Sequence, residues 1–160
     1  MILEKDFQEF IELLNKHEVA YMVVGAHALA FHGKPRHTGD LDIWINPIES
    51  NAEKMVAVIN DFGFASVGLK KDDFLREHYV TQLGYPPLRI DILNSISGVT
   101  FSEAYDNRLF IEVDEITISY IGLNDLIKNK QGTARKQDMA DLENLYKLSG
   151  QLKDKSGRKK

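Results

Sequence analysis

The sequence predicts an α/β protein: a mixed β-sheet flanked by helices. Three observations carry that expectation. Apolar residues recur at helical spacing in separate blocks, at 4–17, 47–62, 123–129 and 136–148. Short strand-like runs stand between them, at 20–24, 40–45, 79–83, 88–93, 109–113 and 116–120. Glycine or proline marks many of the joins.

In the first helix Phe7, Phe10, Ile11 and Leu14 share one face, with Asp6 early and Lys16 and His17 late, as the helix dipole favours. The run 20–24 is apolar throughout, as a strand buried on both faces is. Gly25 ends it and lets the backbone turn and approach a ligand closely. Residues 26–31 suit a short helix, and 32–39 a locally basic loop with His32, Lys34, Arg36 and His37. Pro47 suits a first helical turn and Gly63 a helix stop. Residues 64–67 fit a short strand, and 70–77 a helical turn or a loop. The runs 79–83 and 88–93 flank the turn Gly84-Tyr85-Pro86-Pro87 and form a hairpin. Residues 97–107 suit a loop with a short helix, and 132–135 a break between the last two helices.

A chain of 160 residues suffices for one core, so 1–148 is expected as a single domain and 149–160 as a disordered basic tail. A net charge of −4 excludes a global positive field that recruits nucleic acid; such contact would need a local basic patch. The absence of cysteine excludes disulfides, thiolate metal sites and a cysteine nucleophile. No apolar run approaches the ~18 residues of a membrane span. The acids near the start do not suit a signal peptide. A cytoplasmic location with no membrane partner is the expectation.

The stretch 25–42, GAHALAFHGKPRHTGDLD, organises the rest. In the run that leaves it the period is two: Asp40, Asp42 and Trp44 point one way, Leu41, Ile43 and Ile45 the other. Two carboxylates on one strand face repel each other unless a cation sits between them, and their oxygens suit magnesium or manganese. Taken alone, the pair better describes a solvated strand end; the glycine turn upstream and a third carboxylate downstream change those odds. Asp91 alternates with Ile90 and Ile92, and two placements are open: a solvated face, or a position aimed at Asp40 and Asp42.

The ordered set Gly25-Ala26, Thr38-x-Asp40-x-Asp42 and Arg89-x-Asp91 resembles the DNA polymerase β-like nucleotidyltransferase superfamily, above all its small bacterial minimal and abortive-infection types. Residues 126–130 and Arg135-x-x-Asp138-x-x-Asp141 resemble the helical end of those proteins. The resemblance implies that Asp40, Asp42 and Asp91 are catalytic and hold Mg2+ or Mn2+, with Asp91 helping to deprotonate the acceptor. It implies that Gly25 and Ala26 lie against the triphosphate of an NTP and that Lys130 approaches its phosphates. The loop cations Lys34 and Arg36, with Thr38, join that nucleotide-binding set. Two departures stand out: Ala26 replaces the usual second Gly or Ser, and Gln137 stands where relatives often have lysine.

The expected function is transfer of a nucleoside monophosphate from an NTP to an acceptor hydroxyl by a two-metal mechanism. The acceptor classes are a tRNA end, a protein Ser or Tyr, and a small molecule. The alternative is a catalytically silent chain of the same fold, one partner of a toxin–antitoxin-like protein pair. A metal phosphohydrolase using His32 or His37 ranks third.

Overall fold

A computed structural model describes residues 3–33, 39–85, 87–133, 142–143 and 145–147. In chain order the elements are α1 (Lys5–Lys16), β1 (Tyr21–Val24), α2 (Gly25–Phe31), β2 (Asp40–Ile45), α3 (Glu49–Ile59), α4 (Lys71–Leu75), β3 (Val80–Tyr85), β4 (Leu88–Leu93), α5 (Phe101–Asp106), β5 (Leu109–Val113), β6 (Ile116–Tyr120) and α6 (Leu123–Thr133).

The six strands form one mixed sheet in the order β3-β4-β2-β1-β6-β5. β2 runs parallel to β4 and β1 parallel to β6, while β1 and β2 are antiparallel. The hairpin expected around residues 84–87 is present, with Tyr85 paired to Leu88. Because side chains alternate along a strand, the pairing sets the two faces. Asp42, Asp91, Val24 and Gln82 share one face; Ile43, Ile90, Ile92 and Leu83 share the other.

The apolar face is covered by α1 and by residues 60–64, where Phe7, Phe62 and Phe64 line one cavity with Leu83, Leu88 and Ile90. Phe7, Phe10, Ile11 and Leu14 of α1 are fully buried, as their spacing predicts. On the acid face Trp44 meets Phe101 of α5 edge-on, with ring centroids 5.1 Å apart. Trp44 is buried, so only the early part of β2 opens to solvent.

Two local expectations need correction. Residues 64–67 do not form a strand: 65–67 are a single 3-10 turn. Gly63 (φ +99) and Gly68 (φ +76) bracket it, and left-handed backbone on both sides leaves too short a segment to extend. The third helix starts at Glu49 rather than Pro47, because Ile48 is extended. The buried Asn51 amide donates to the carbonyls of Ala20 and Asn46 and fixes that entry turn. Helix α6 runs through Gly132 to Thr133. The helix expected at 136–148 and the tail at 149–160 lie largely or wholly outside the described residues.

Candidate active site

The site starts from a strand register. Asp42 of β2 is paired with Asp91 of β4, and Asp40 with Arg89, on adjacent parallel strands. Register partners share a face, so the solvated placement of Asp91 away from the pair is not the one adopted. Asp91 is 9% exposed and bordered by buried Ile90 and Ile92.

Arg89 ties the cluster together. Its Nε donates to Asp91 Oδ1 at 2.8 Å and its Nη2 to Asp91 Oδ2 at 3.0 Å. The same Nη2 donates to Asp40 Oδ2 at 3.1 Å. A planar guanidinium matches two carboxylate oxygens at once, which lysine could not do. Asp42 lacks such a clasp. Burial, and after it the charges of Asp91 and Asp40, push its carboxyl up to about 7. Arg89 and Lys130 oppose that rise without cancelling it. Among the described residues no three His, Asp or Glu side chains stand as a preformed metal cage. Arg89 takes up both oxygens of Asp91 and one of Asp40.

Gly25 makes room for Asp42. It adopts φ +70, and a Cβ there would fall 2.1 Å from Asp42 Oδ2. Only glycine therefore lets β1 turn into α2 directly over that carboxylate. Gly39 does similar work at the start of β2: a Cβ would fall 1.6 Å from the Pro87 carbonyl oxygen, and the Gly39 carbonyl accepts the Arg89 N–H at 2.8 Å.

An open cleft of about 440 Å³ lies over this end of the sheet. Gly25, Ala26, Asp40, Asp42 and Lys130 line it. Asp91 does not; it sits one strand over, behind its clasp with Arg89. Lys130 is 7% exposed and acts electrostatically on Asp42. Lys34, Arg36 and Thr38 lie outside the described residues, as do His37 and Gln137. His32, a ligand in the phosphohydrolase reading, is turned away: its Nε2 donates to the Ile121 carbonyl at 2.8 Å. His78, Ser95, Ser97, Asn129 and Thr133 make up the rest of its polar lining, the far wall, and of these only Asn129 falls in a stretch, 126–130, that the sequence singles out.

The family is shown by a family model described as a nucleotidyltransferase of unknown function (DUF6036), which matches residues 3–153. The chain belongs to that family. TM1012 of Thermotoga maritima, a provisionally named nucleotidyltransferase, is similar in fold, with TM-score 0.51 and 15% identity over 95% of this chain and 91% of its own. The lincosamide antibiotic adenylyltransferase LnuA, solved with lincomycin bound, gives TM-score 0.54 and 16% identity over 92% of this chain and 98% of its own. At such identities the likeness is one of fold. No curated protein matches the sequence. No described helix is long and apolar enough to cross a membrane.

Proposed function

We propose that this nucleotidyltransferase moves a nucleoside monophosphate from an NTP to an acceptor hydroxyl, with magnesium or manganese held by Asp40, Asp42 and Asp91. The observation that carries the reading is the in-register pairing of Asp42 with Asp91, with Asp40 on the same face.

The donor set fits a hard divalent cation. It is all oxygen, and burial together with the charges of Asp91 and Asp40 raises the Asp42 carboxyl by more than Arg89 and Lys130 lower it, an excess that a divalent cation would offset. When bound, a metal pair supplies neutralisation for the attacking and leaving oxygens.

The chain's own residues do the rest. Gly25 and Ala26 present bare backbone at the cleft, so a triphosphate can lie close. Ala26 offers no hydroxyl, and phosphate contact there falls to its amide. Lys130 brings a cation from α6 toward the phosphates. Lys34, Arg36 and Thr38 join the same set on sequence grounds. Arg89 fixes Asp91 in place, and Asp91 can take an acceptor proton only after one of its oxygens leaves that clasp.

The acceptor is a tRNA end, a protein hydroxyl or a small molecule of the kind LnuA adenylylates. The test supplies α-labelled NTPs with magnesium and a cell extract. Label should move to one acceptor with the wild-type chain and to none with Asp42→Asn. A chain that magnesium and NTP stabilise, yet that transfers nothing, is the silent partner of a protein pair. A chain they do not stabilise at all defeats the reading.

A further inference from the structure

The far wall of the cleft carries a hydrogen-bonded His78–Ser95 pair, with the Glu77 carboxylate beside the imidazole, that the transfer reading does not use. His78 Nδ1 lies 2.9 Å from Ser95 Oγ, and His78 Nε2 lies 3.4 Å from Glu77 Oε1. A carboxylate beside Nε2 favours the tautomer that carries its proton there. Nδ1 is then the acceptor, and Ser95 Oγ–H donates to it. Carboxylate, imidazole and hydroxyl in that order is the arrangement by which an imidazole relieves an attacking hydroxyl of its proton.

The placement is built. His78 has φ +54, a left-handed conformation that non-glycine residues seldom adopt. Asn94, which is buried, pins the chain on both sides of it. Its amide donates to the carbonyls of Phe74 and Arg76, and its carbonyl oxygen accepts the Tyr79 N–H. The Arg76 guanidinium also lies 4.5 Å over the Tyr79 ring. The side chains of His78 and Glu77 are 76% and 88% exposed, so core packing does not account for their arrangement. A strained residue held by a dedicated pin at a cleft is the pattern of a functional position. His78 and Ser95 border the same cleft as Asp40, Asp42 and Lys130.

We propose that Ser95 is an acceptor of the chain's own reaction, so that the protein nucleotidylates itself there. The inference rests on the nucleotidyl-transfer reading above. Ser95 Oγ forms a bond to the α-phosphorus of the NTP. The bond from that phosphorus to the pyrophosphate oxygen breaks, and pyrophosphate leaves with the electron pair. The hydroxyl proton passes to His78 Nδ1, and Glu77 offsets the imidazolium charge. The product is a phosphodiester on Ser95 that stands in the cleft and obstructs the next NTP, making the reaction self-limiting.

The experiment uses the purified full chain with magnesium and each α-labelled NTP in turn, without extract, read by intact mass and peptide mapping. One nucleoside monophosphate should appear on Ser95. Ser95→Ala should fall to background while melting as wild type does without nucleotide, and Ser95→Thr should keep the label at position 95. His78→Gln should slow labelling about 100-fold, the low end for general-base catalysis. Equal labelling of Ser95→Ala overturns the assignment. An unlabelled wild-type chain that labels an acceptor in extract overturns self-acceptance and leaves the transfer reading standing; one that magnesium and NTP stabilise but that labels nothing in either assay overturns both and leaves the silent partner. A chain that does none of these things defeats both.

Discussion

The two walls of the cleft are built by opposite means. The acid wall is backbone held by sheet pairing: Asp40 and Asp42 sit on β2, locked between β1 and β4, with Gly25 folded over them. The far wall sets irregular chain beside α6, which brings Asn129 and Thr133; His78 and Ser95 lie outside the named strands, and the buried Asn94 holds their segment. The acid wall is rigid in position and frustrated in charge. The far wall is strained in backbone and relaxed in charge. A cation would stabilise the first and do little for the second. Substitutions that relieve each kind of strain should therefore separate the walls.

The largest effect should come from closing the space above Asp42. Gly25→Ala places a methyl on the Asp42 carboxylate and forces alanine into φ +70. The left-handed backbone costs ~1–2 kcal/mol, and the overlap adds ~1–3 kcal/mol. The variant should lose both stability and the stabilisation that magnesium and NTP confer, measured by melting with and without them. Wild-type behaviour would mean that the turn and Asp42 can move apart, and that the acid wall is less rigid than the register implies.

Next in size is the charge itself. The Asp42 carboxyl stands at about 7 in the folded chain against an ordinary 3.8. Between those values the folded state holds a proton that the unfolded state has released. Stability therefore falls as pH rises through that window, and the deficit is complete above about pH 7. Asp42→Asn removes it. Each pH unit of the window is worth ~1.4 kcal/mol, less what solvent reaching the cleft screens. The apo variant should thus exceed wild type by on the order of 3 kcal/mol above pH 7 and approach it near pH 4. The comparison is made by denaturant melts across that range. An apo variant less stable at pH 8 would show Asp42 acting as a structural hydrogen-bond acceptor and not as a waiting ligand.

The acid wall was the legible one, for a physical reason. Period-two alternation fixes which residues of a strand share a face, so Asp40 and Asp42 could be paired from sequence. A two-way choice remained for Asp91, because the parallel register between β2 and β4 is non-local. The fold class followed from the alternation of helical and strand patterns. Arg89 is visible beside Asp91 in the sequence, but its third bond reaches Asp40, 49 residues away. On the far wall Asn129 falls in the stretch 126–130, but nothing local marks His78 or Ser95. Glu77-His78 reads as the end of a charged segment, and Ser95 as a loop residue after a strand. Their meeting depends on Asn94 reaching back to residues 74, 76 and 79, which only the folded hairpin brings near. Lys34, Arg36 and Thr38, which the sequence expectation adds to the nucleotide-binding set, lie outside the described residues.

The smallest effect is the sharpest test of the contrast, because two contributions of similar size oppose each other. His78→Gly releases the left-handed strain at φ +54, worth ~1 kcal/mol or somewhat more. It also raises the entropy of the unfolded chain, which costs ~0.5–1 kcal/mol. The exposed side chain takes little packing with it. The net change should lie within about 1 kcal/mol of zero. His78→Val supplies the control, since a β-branched residue at positive φ is a genuine outlier; it should cost ~1–2 kcal/mol. Adding a methyl at Gly25 thus wounds the acid wall, whereas removing a whole imidazole at His78 leaves the far wall standing. Denaturant melts of the three variants at one pH decide the matter. A loss above ~2 kcal/mol in His78→Gly would mean that the imidazole holds the fold through Ser95, and the division of the cleft into a rigid wall and a pinned one would fail.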